Sequence, residues 1–368
     1  MKKIKNKGLI EKFEKYILGI EKNDKIGIIY HSDPDGVASA VILSRLIKKV
    51  GSKDVGHLSY IPNPSMIKSA VNKMKSKGIN KLIISDVSAD QFMGLKEFEG
   101  FSEVLILDHH NLYKDINSKN ITLIKPQMIF HDVNPDFYCA AKLCFDLGNM
   151  ITDLRNLDWV SVIGIIGDSS YDHWKRFGDG VLNKYRIRKT KEGRTELDRI
   201  TEVMFYSIAH NLKNTRICYD VLYNSRNYRE AKNSGLQKYS KAIENEIKYW
   251  NTNVMKLAEV HPKLELIFDN IKPRYPINPS IIARLSSKNP NKTVVIAQDM
   301  NQEIINISAR RADGKVHVNS LLENSIKNLK GANAGGHVRS AGGIIQKKDF
   351  FRFKENIFKL LANRYRNN

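Results

Sequence analysis

Cysteine is scarce in this chain of 368 residues, with only Cys139, Cys144 and Cys218 and no metal-ligand spacing among them. Three thiols cannot build a disulfide framework, which excludes the small stapled secreted folds and predicts a reducing, cytoplasmic setting. No run of 18 apolar residues occurs, so no transmembrane helix is expected and a membrane is not an expected partner. The basic stretch at 1–7 is followed by Glu11, Lys12, Glu14 and Lys15, which interrupt any apolar segment a signal peptide would need. Low-complexity tracts and internal repeats are lacking too, which removes solenoids and disordered arrays. Acidic residues are outnumbered. Against 60 Lys plus Arg stand 39 Asp plus Glu, a formal charge of +21, and an excess of that size points to a polyanionic partner.

The composition is that of a folded protein, with 42% hydrophobic and 27% charged residues and length for two or three domains. Leu9, Ile10, Phe13, Ile17 and Ile20 recur at helical spacing. Apolar strand-like runs at 26–30, 57–61, 81–85 and 104–107 alternate with helical patterns at 36–49 and 64–77. Such alternation predicts an α/β fold whose N-terminal domain is a mostly parallel, doubly wound sheet, with ligands at the carboxyl ends of its strands. Two apolar helices are expected within 139–167, a basic loop at 184–194, and a long connecting helix from about 234 to 259. A smaller C-terminal α/β domain follows, with strands at 264–268, 293–298 and 304–309, a glycine-rich turn and a basic terminal helix. The expected division is 1–232 for the catalytic domain, 233–262 for the connection and 263–368 for the second domain.

The first strand runs into His31, Ser32, Asp33, Pro34, Asp35 and Gly36. An imidazole and two carboxylates on one tight turn suit a divalent cation, although aspartate here also serves simply to cap the next helix. The run at 81–85 ends in Asp86, that at 104–107 in Asp108, His109 and His110, and Asp168 follows the apolar segment 162–167. Taken singly, each aspartate reads as a cap and each histidine as a core residue. Four apolar runs that all end in an acidic residue are better explained by one shared site.

These segments, HSDPDG, ISDVS, LDHHN and IIGDSS, resemble in order the four motifs of DHH-superfamily phosphoesterases, and Asn134-Pro135 fits the same pattern. Gly335, Gly336 and His337, within a run ending at Gly343, resemble the GGH signature of the DHH-associated substrate domain, and Ser308-Ala309-Arg310 resembles its S-x-R strand. The resemblance covers about residues 26–344. It implies two bound ions, usually Mn²⁺ with Mg²⁺ or Co²⁺ as substitutes. Asp33, Asp35, Asp86, His109 and Asp168 would be the ligands, with Asp86 bridging. It further implies that Asp108 orients His109, that His110 meets the scissile phosphate, and that Arg310, Gly335, Gly336 and His337 clamp a substrate phosphate. His31 stands two residues before Asp33, where some branches place a histidine four before, which leaves open whether it ligates or orients.

Within the superfamily, the charge favours RecJ-like exonucleases of the compact archaeal type. These degrade single-stranded DNA or RNA from the 5′ end and can associate with replication or repair proteins. Larger bacterial RecJ enzymes carry an additional oligonucleotide-binding barrel, for which no room is found after residue 344. Tyr185, Arg186, Arg188 and Lys189 are the expected nucleic-acid groove, a basic stretch with a ring for base stacking. Hydrolysis of very short oligoribonucleotides or cyclic dinucleotides is the alternative, and a non-enzymatic replisome scaffold a third reading.

Overall fold

Residues 3–51, 54–299 and 303–366 are described in the computed structural model; Met1, Lys2 and the Arg366 side chain lie outside them. The chain forms two units, Met1–Tyr239 and Ser240–Asn368.

In the first unit, α1 (Lys7–Leu18) precedes β1 (Ile26–His31), α2 (Pro34–Lys49), β2 (His57–Ile61), α3 (Ile67–Ser76), β3 (Lys81–Ser85), the single-turn α4 (Ala89–Phe92), β4 (Glu103–Leu107) and β5 (Ile121–Ile124). After the single-turn α5 (Pro126–Ile129), helices continue as α6 (Ala140–Ile151), α7 (Asp158–Gly167), α8 (Lys175–Tyr185), α9 (Glu196–His210), α10 (Asn214–Asn224) and α11 (Tyr228–Lys232). The five strands are all parallel in the order β2-β1-β3-β4-β5. A sheet covered on both faces needs apolar residues at successive positions, and β3 is buried along its whole length. Ile28, Tyr30, Ile83, Leu105 and Leu107 face a core shared with α2, α6, α7 and α9, while Ile29, Leu82, Ile84, Val104 and Ile106 face another with α3.

Register places the strand ends level. Tyr30 pairs with Ser85, Ser85 with Leu107, and Leu107 with Ile124. The next residues, His31, Asp86, Asp108 and Lys125, therefore form a row along the carboxyl edge. The chain turns from β2 back past β1 to β3, and this reversal is where doubly wound sheets open a crevice.

The second unit opens with α12 (Ser240–Leu257) and continues through β6 (Glu259–His261), β7 (Leu266–Ile271), α13 (Asn278–Lys288), β8 (Thr293–Asp299) and β9 (Ile304–Arg310). Then come α14 (Val318–Ile326), β10 (Asn333–Gly336), β11 (Ser340–Gln346) and α15 (Phe350–Arg366). Its sheet runs β10-β11-β9-β8-β7-β6, with only β7 and β8 parallel. Residues of β7, β8 and β9 pack with Leu321 and Leu322 of α14 and Phe353, Ile357 and Leu361 of α15.

Four local expectations change. Lys184 and Tyr185 end α8 rather than belonging to a loop, and the helix stops at Arg186, which is left-handed at φ 55°. The glycine-rich segment is a hairpin of β10 and β11 rather than a simple turn. The strand expected at 264–268 starts later, because Pro262–Leu264 forms a 3-10 turn closed by left-handed Glu265. Strands β5 and β6 add to both sheets.

Candidate metal centre

Asp33 caps α2, its Oδ1 accepting from the Gly36 amide at 2.8 Å. A Cβ on Gly36 would lie 2.3 Å from the His31 carbonyl oxygen, so only glycine lets the chain double back so closely after β1. The other Asp33 oxygen meets His31 Nδ1 at 2.7 Å. Burial would lower the His31 pKa, but the Asp33 carboxylate and, more weakly, Asp86 push it up to about 9. Burial also opposes ionisation of Asp33, yet His31 and the Gly36 amide hold it well below the usual carboxylate range.

Asp35 points into the unit and takes hydrogen bonds from the amides of Ala140 at 2.8 Å and Ala141 at 2.9 Å, the start of α6. A helix N-terminus favours an anion there, while burial still raises the Asp35 pKa.

Asp86 has a left-handed backbone, φ 58°, a strained state for a residue with a side chain and one found at sites that need a particular aim. It is 2% exposed, and Oδ2 has no hydrogen-bond partner among the described residues. Burial and the nearby Asp33 and Asp35 push its pKa well up. Its Oδ1 lies 3.3 Å from His109 Nε2, and His31 Nδ1 is 3.8 Å from Oδ2.

His109 is buried, with Nδ1 3.4 Å from the Pro135 carbonyl oxygen and 3.8 Å from Asp168 Oδ2. Burial would lower its pKa, but Asp168 and Asp86 hold it well up. The Asn134-Pro135 motif thus supplies a backbone acceptor behind the imidazole. Asp168 caps the carboxyl end of α7, where its amide reaches the Gly164 carbonyl at 2.9 Å.

Asp108 does not hold His109. Its Oδ1 accepts from His110 Nδ1 at 2.6 Å and its Oδ2 faces Lys125 Nζ at 2.9 Å. The side chain at 108 leans along the strand edge toward Lys125, whereas His109 turns to Asp86 and Pro135. Burial disfavours the charge on Asp108, but Lys125 and His110 together hold its pKa well below the usual range.

The residues fit a divalent cation. His31, Asp33 and Asp86 offer donor atoms within 4.8 Å of one another, and so do Asp35, Asp86 and His109. Mixed carboxylate and imidazole donors suit transition-metal ions, and the orphaned Asp86 oxygen lacks the partner a buried carboxylate requires.

The segment 25–159 matches the model of the DHH family N-terminal domain, and 277–363 matches the DHHA1 domain. The chain belongs to the DHH superfamily. No curated protein matches it. Among solved structures, this DHH chain is similar to RecJ of Thermus thermophilus in complex with Mn²⁺, at 16% identity and a TM-score of 0.68 over 97% of this chain and 55% of that one. It therefore spans about half the length of the Thermus protein. An exonuclease RecJ bound to manganese aligns at 15% identity and a TM-score of 0.65, over 96% and 94% of the two chains. A DHH domain described as coming from a member of a ribosomal-protein family aligns at 15% identity and a TM-score of 0.70, over 97% and 92%.

In the second unit of this DHH protein, Arg310 ends β9 opposite Ser340, and Gly335 and Gly336 pair with Gly342 and Ala341. The His337 amide closes the hairpin on the Ser340 carbonyl at 2.8 Å, so Arg310 and the motif share one corner of the sheet. The expected groove residues lie at the end of α8 and just beyond it. The Tyr185 ring meets Tyr228 edge-on at 6.1 Å, lies under the Lys184 ammonium at 4.9 Å and packs on the core. Lys189 is exposed and pairs with Asp179 at 2.7 Å, and Arg186 and Arg188 are exposed too. Among the described residues no helix is long and apolar enough to cross a membrane.

Sequence reasoning missed Lys125. Its signal was a lone lysine between the apolar run 121–124 and Pro126.

Proposed function

We propose that this DHH protein is a metal-dependent phosphodiesterase of the RecJ-like kind, hydrolysing single-stranded DNA or RNA from the 5′ end. The observation that carries the reading is Asp86, which belongs to both donor sets and keeps one buried oxygen without a hydrogen bond. Two ions, Mn²⁺ in preference to Mg²⁺ or Co²⁺, would be held by Asp33, Asp35, Asp86, His109 and Asp168, with Asp86 between them. When bound, such a pair activates water and offsets the charge that develops on the phosphate.

The chain's own residues do the rest. Asp33 caps α2 with one oxygen and aims the other into the site, where His31 steadies it. The Pro135 carbonyl accepts from His109 Nδ1 and leaves Nε2 as the ligating nitrogen. His110, whose Nδ1–H donates to Asp108, donates from Nε2 as the doubly protonated imidazolium to a phosphate oxygen as charge builds there. Arg310 grips a second phosphate with its planar fork beside the His337 hairpin. The +21 charge, including exposed Arg186 and Arg188, draws in the strand, and replication or repair proteins are the proposed partners. One observation favours the short-substrate alternative: Tyr185 is packed against Tyr228, so the basic stretch offers less base stacking than a long groove needs.

The test is hydrolysis of 5′-labelled and 3′-labelled DNA and RNA of about 20 nucleotides beside a dinucleotide, in Mn²⁺ at near-physiological salt. The expected result is a stepwise 3′-labelled ladder. Consumption of the dinucleotide alone would make it a short-oligonucleotide enzyme, and no hydrolysis would favour the scaffold reading.

A further inference from the structure

We propose that Lys125 is a positioning residue for His110, clamping the imidazole in one orientation, with Nδ1–H toward Asp108, through Asp108 and through the His110 backbone. This rests on the reading in which His110 acts on the phosphate.

Lys125 is 0% exposed, and a lysine is so deeply buried only where its charge is matched. Its ammonium lies 2.9 Å from Asp108 Oδ2 and 2.9 Å from Asp90 Oδ1. It also donates to the carbonyl oxygens of Asn111 at 2.6 Å and His110 at 3.3 Å. Gln127 Nε2 reaches the same His110 carbonyl at 3.2 Å, and Asp90 Oδ2 accepts from the Tyr113 amide at 2.8 Å. The segment 108–113 is thus tied from both ends to one cation.

Parallel register produces this arrangement. Leu107 stands opposite Ile124, and the Asp108 amide bonds to the Ile124 carbonyl at 3.1 Å, so the residue after β5 falls beside the residue after β4. Both oxygens of Asp108 are then engaged, Oδ1 by His110 Nδ1 and Oδ2 by Lys125. Bonded to His110 at one oxygen and facing the Lys125 ammonium at the other, the carboxylate is kept in one orientation, so His110 turns Nδ1–H toward Asp108 and presents its Nε2 edge to the substrate, donating from it when the ring carries both protons. The ammonium has a second consequence. Asp86, Asp108 and His110 lie close enough to hold a cation, but a positive charge 2.9 Å from Asp108 Oδ2 opposes one there. Lys125 therefore keeps Asp108 as a holder of His110 rather than a ligand.

The simpler account makes Lys125 only the counter-ion of buried Asp90. Lys125→Met alone strands two carboxylates and is prone to unfold. The decisive variant is Lys125→Met with Asp90→Asn, compared with Asp90→Asn alone. Each is read by thermal unfolding, by Mn²⁺ affinity, by imidazole ¹⁵N spectra of the metal-free protein with His110→Asn as assignment control, and by kcat and KM on an oligonucleotide. The double variant is expected to fold and bind Mn²⁺ as the wild type does, yet to lose the His110 Nδ1–H signal. Its kcat should fall roughly 10- to 100-fold with KM nearly unchanged. An unchanged His110 signal in the folded double variant overturns the proposal and leaves Lys125 as a counter-ion. If the wild type hydrolyses nothing, the functional reading fails separately, and the imidazole spectrum still decides on Lys125.

Discussion

The strand-end cluster of the first unit and the glycine hairpin of the second were both found as motifs, yet folding asks for them in opposite degrees. Asp35, Asp86 and His109 are buried beside one another, and burial together with like charges pushes the Asp86 carboxyl well up. Nothing in the packing of a parallel sheet calls for such a cluster, so its residues reflect what the site binds. In the hairpin, Gly336 has φ 145°, and a Cβ there would sit 2.6 Å from the Ser340 carbonyl oxygen, which pairs with His337. That glycine is demanded by the backbone itself. A motif can thus mark chemistry that opposes stability or geometry that secures it, and mutation separates the two.

The sharpest separation is Asp86→Asn. Asparagine tolerates the left-handed backbone and removes the charge, so hydrolysis should fall by at least about a thousandfold, as loss of the ligand proposed to be shared by two ions would imply. Without metal the variant should be more stable than the wild type at neutral pH, by about 1–3 kcal/mol, because the buried charge beside Asp33 and Asp35 is gone. The sign follows from the raised pKa. The folded state binds the Asp86 proton more tightly than the unfolded state does, so the penalty grows as pH rises above the unfolded carboxyl's range and shrinks as pH falls back through it. Near-normal turnover, or a metal-free variant less stable than the wild type, would break the contrast.

In the hairpin the direction reverses. Gly336→Ala should destabilise the second unit by roughly 2 kcal/mol through strain at positive φ and the clash with Ser340. His337→Ala should leave melting nearly unchanged and raise KM more than it lowers kcat, since the proposed phosphate clamp binds ground and transition states alike. A large fall in kcat at constant KM would show that His337 takes part in the chemistry instead.

How far each region was legible follows from the same physics. Strands buried on both faces read as largely apolar runs, so the ionisable residue that follows each run, at His31, Asp86 and Asp108, marks the sheet edge directly. The doubly wound order and the aspartates were visible for that reason. Lys125 was not, because β5 has only four residues and a single lysine before Pro126 carries no periodic signal. The partner of Asp108 was assigned to the wrong neighbour because spacing along a chain does not tell which of two adjacent imidazoles turns back toward the strand edge. Helix α8 was hidden by Gly178 and Gly180, which are poor helix formers, and so its basic end was read as loop.

That misreading bears on the smallest expected effect. With Tyr185 packed on Tyr228 and the exposed Lys189 already paired with Asp179, Arg186 and Arg188 are the residues of the expected groove best able to meet phosphates. Reversing both to Glu should weaken binding of a long single strand only a few-fold at moderate salt. The slope of log affinity against log salt should drop by roughly 0.7 for each phosphate that is no longer neutralised. Turnover of a dinucleotide, which has few phosphates to offer beyond the one being cleaved, should not change. Comparing the two substrates isolates a local phosphate interaction from the field of the whole +21 chain, which would act on both. Equal losses on long and short substrates would assign the effect to that general field, and an unchanged salt slope would remove the end of α8 from the nucleic-acid path.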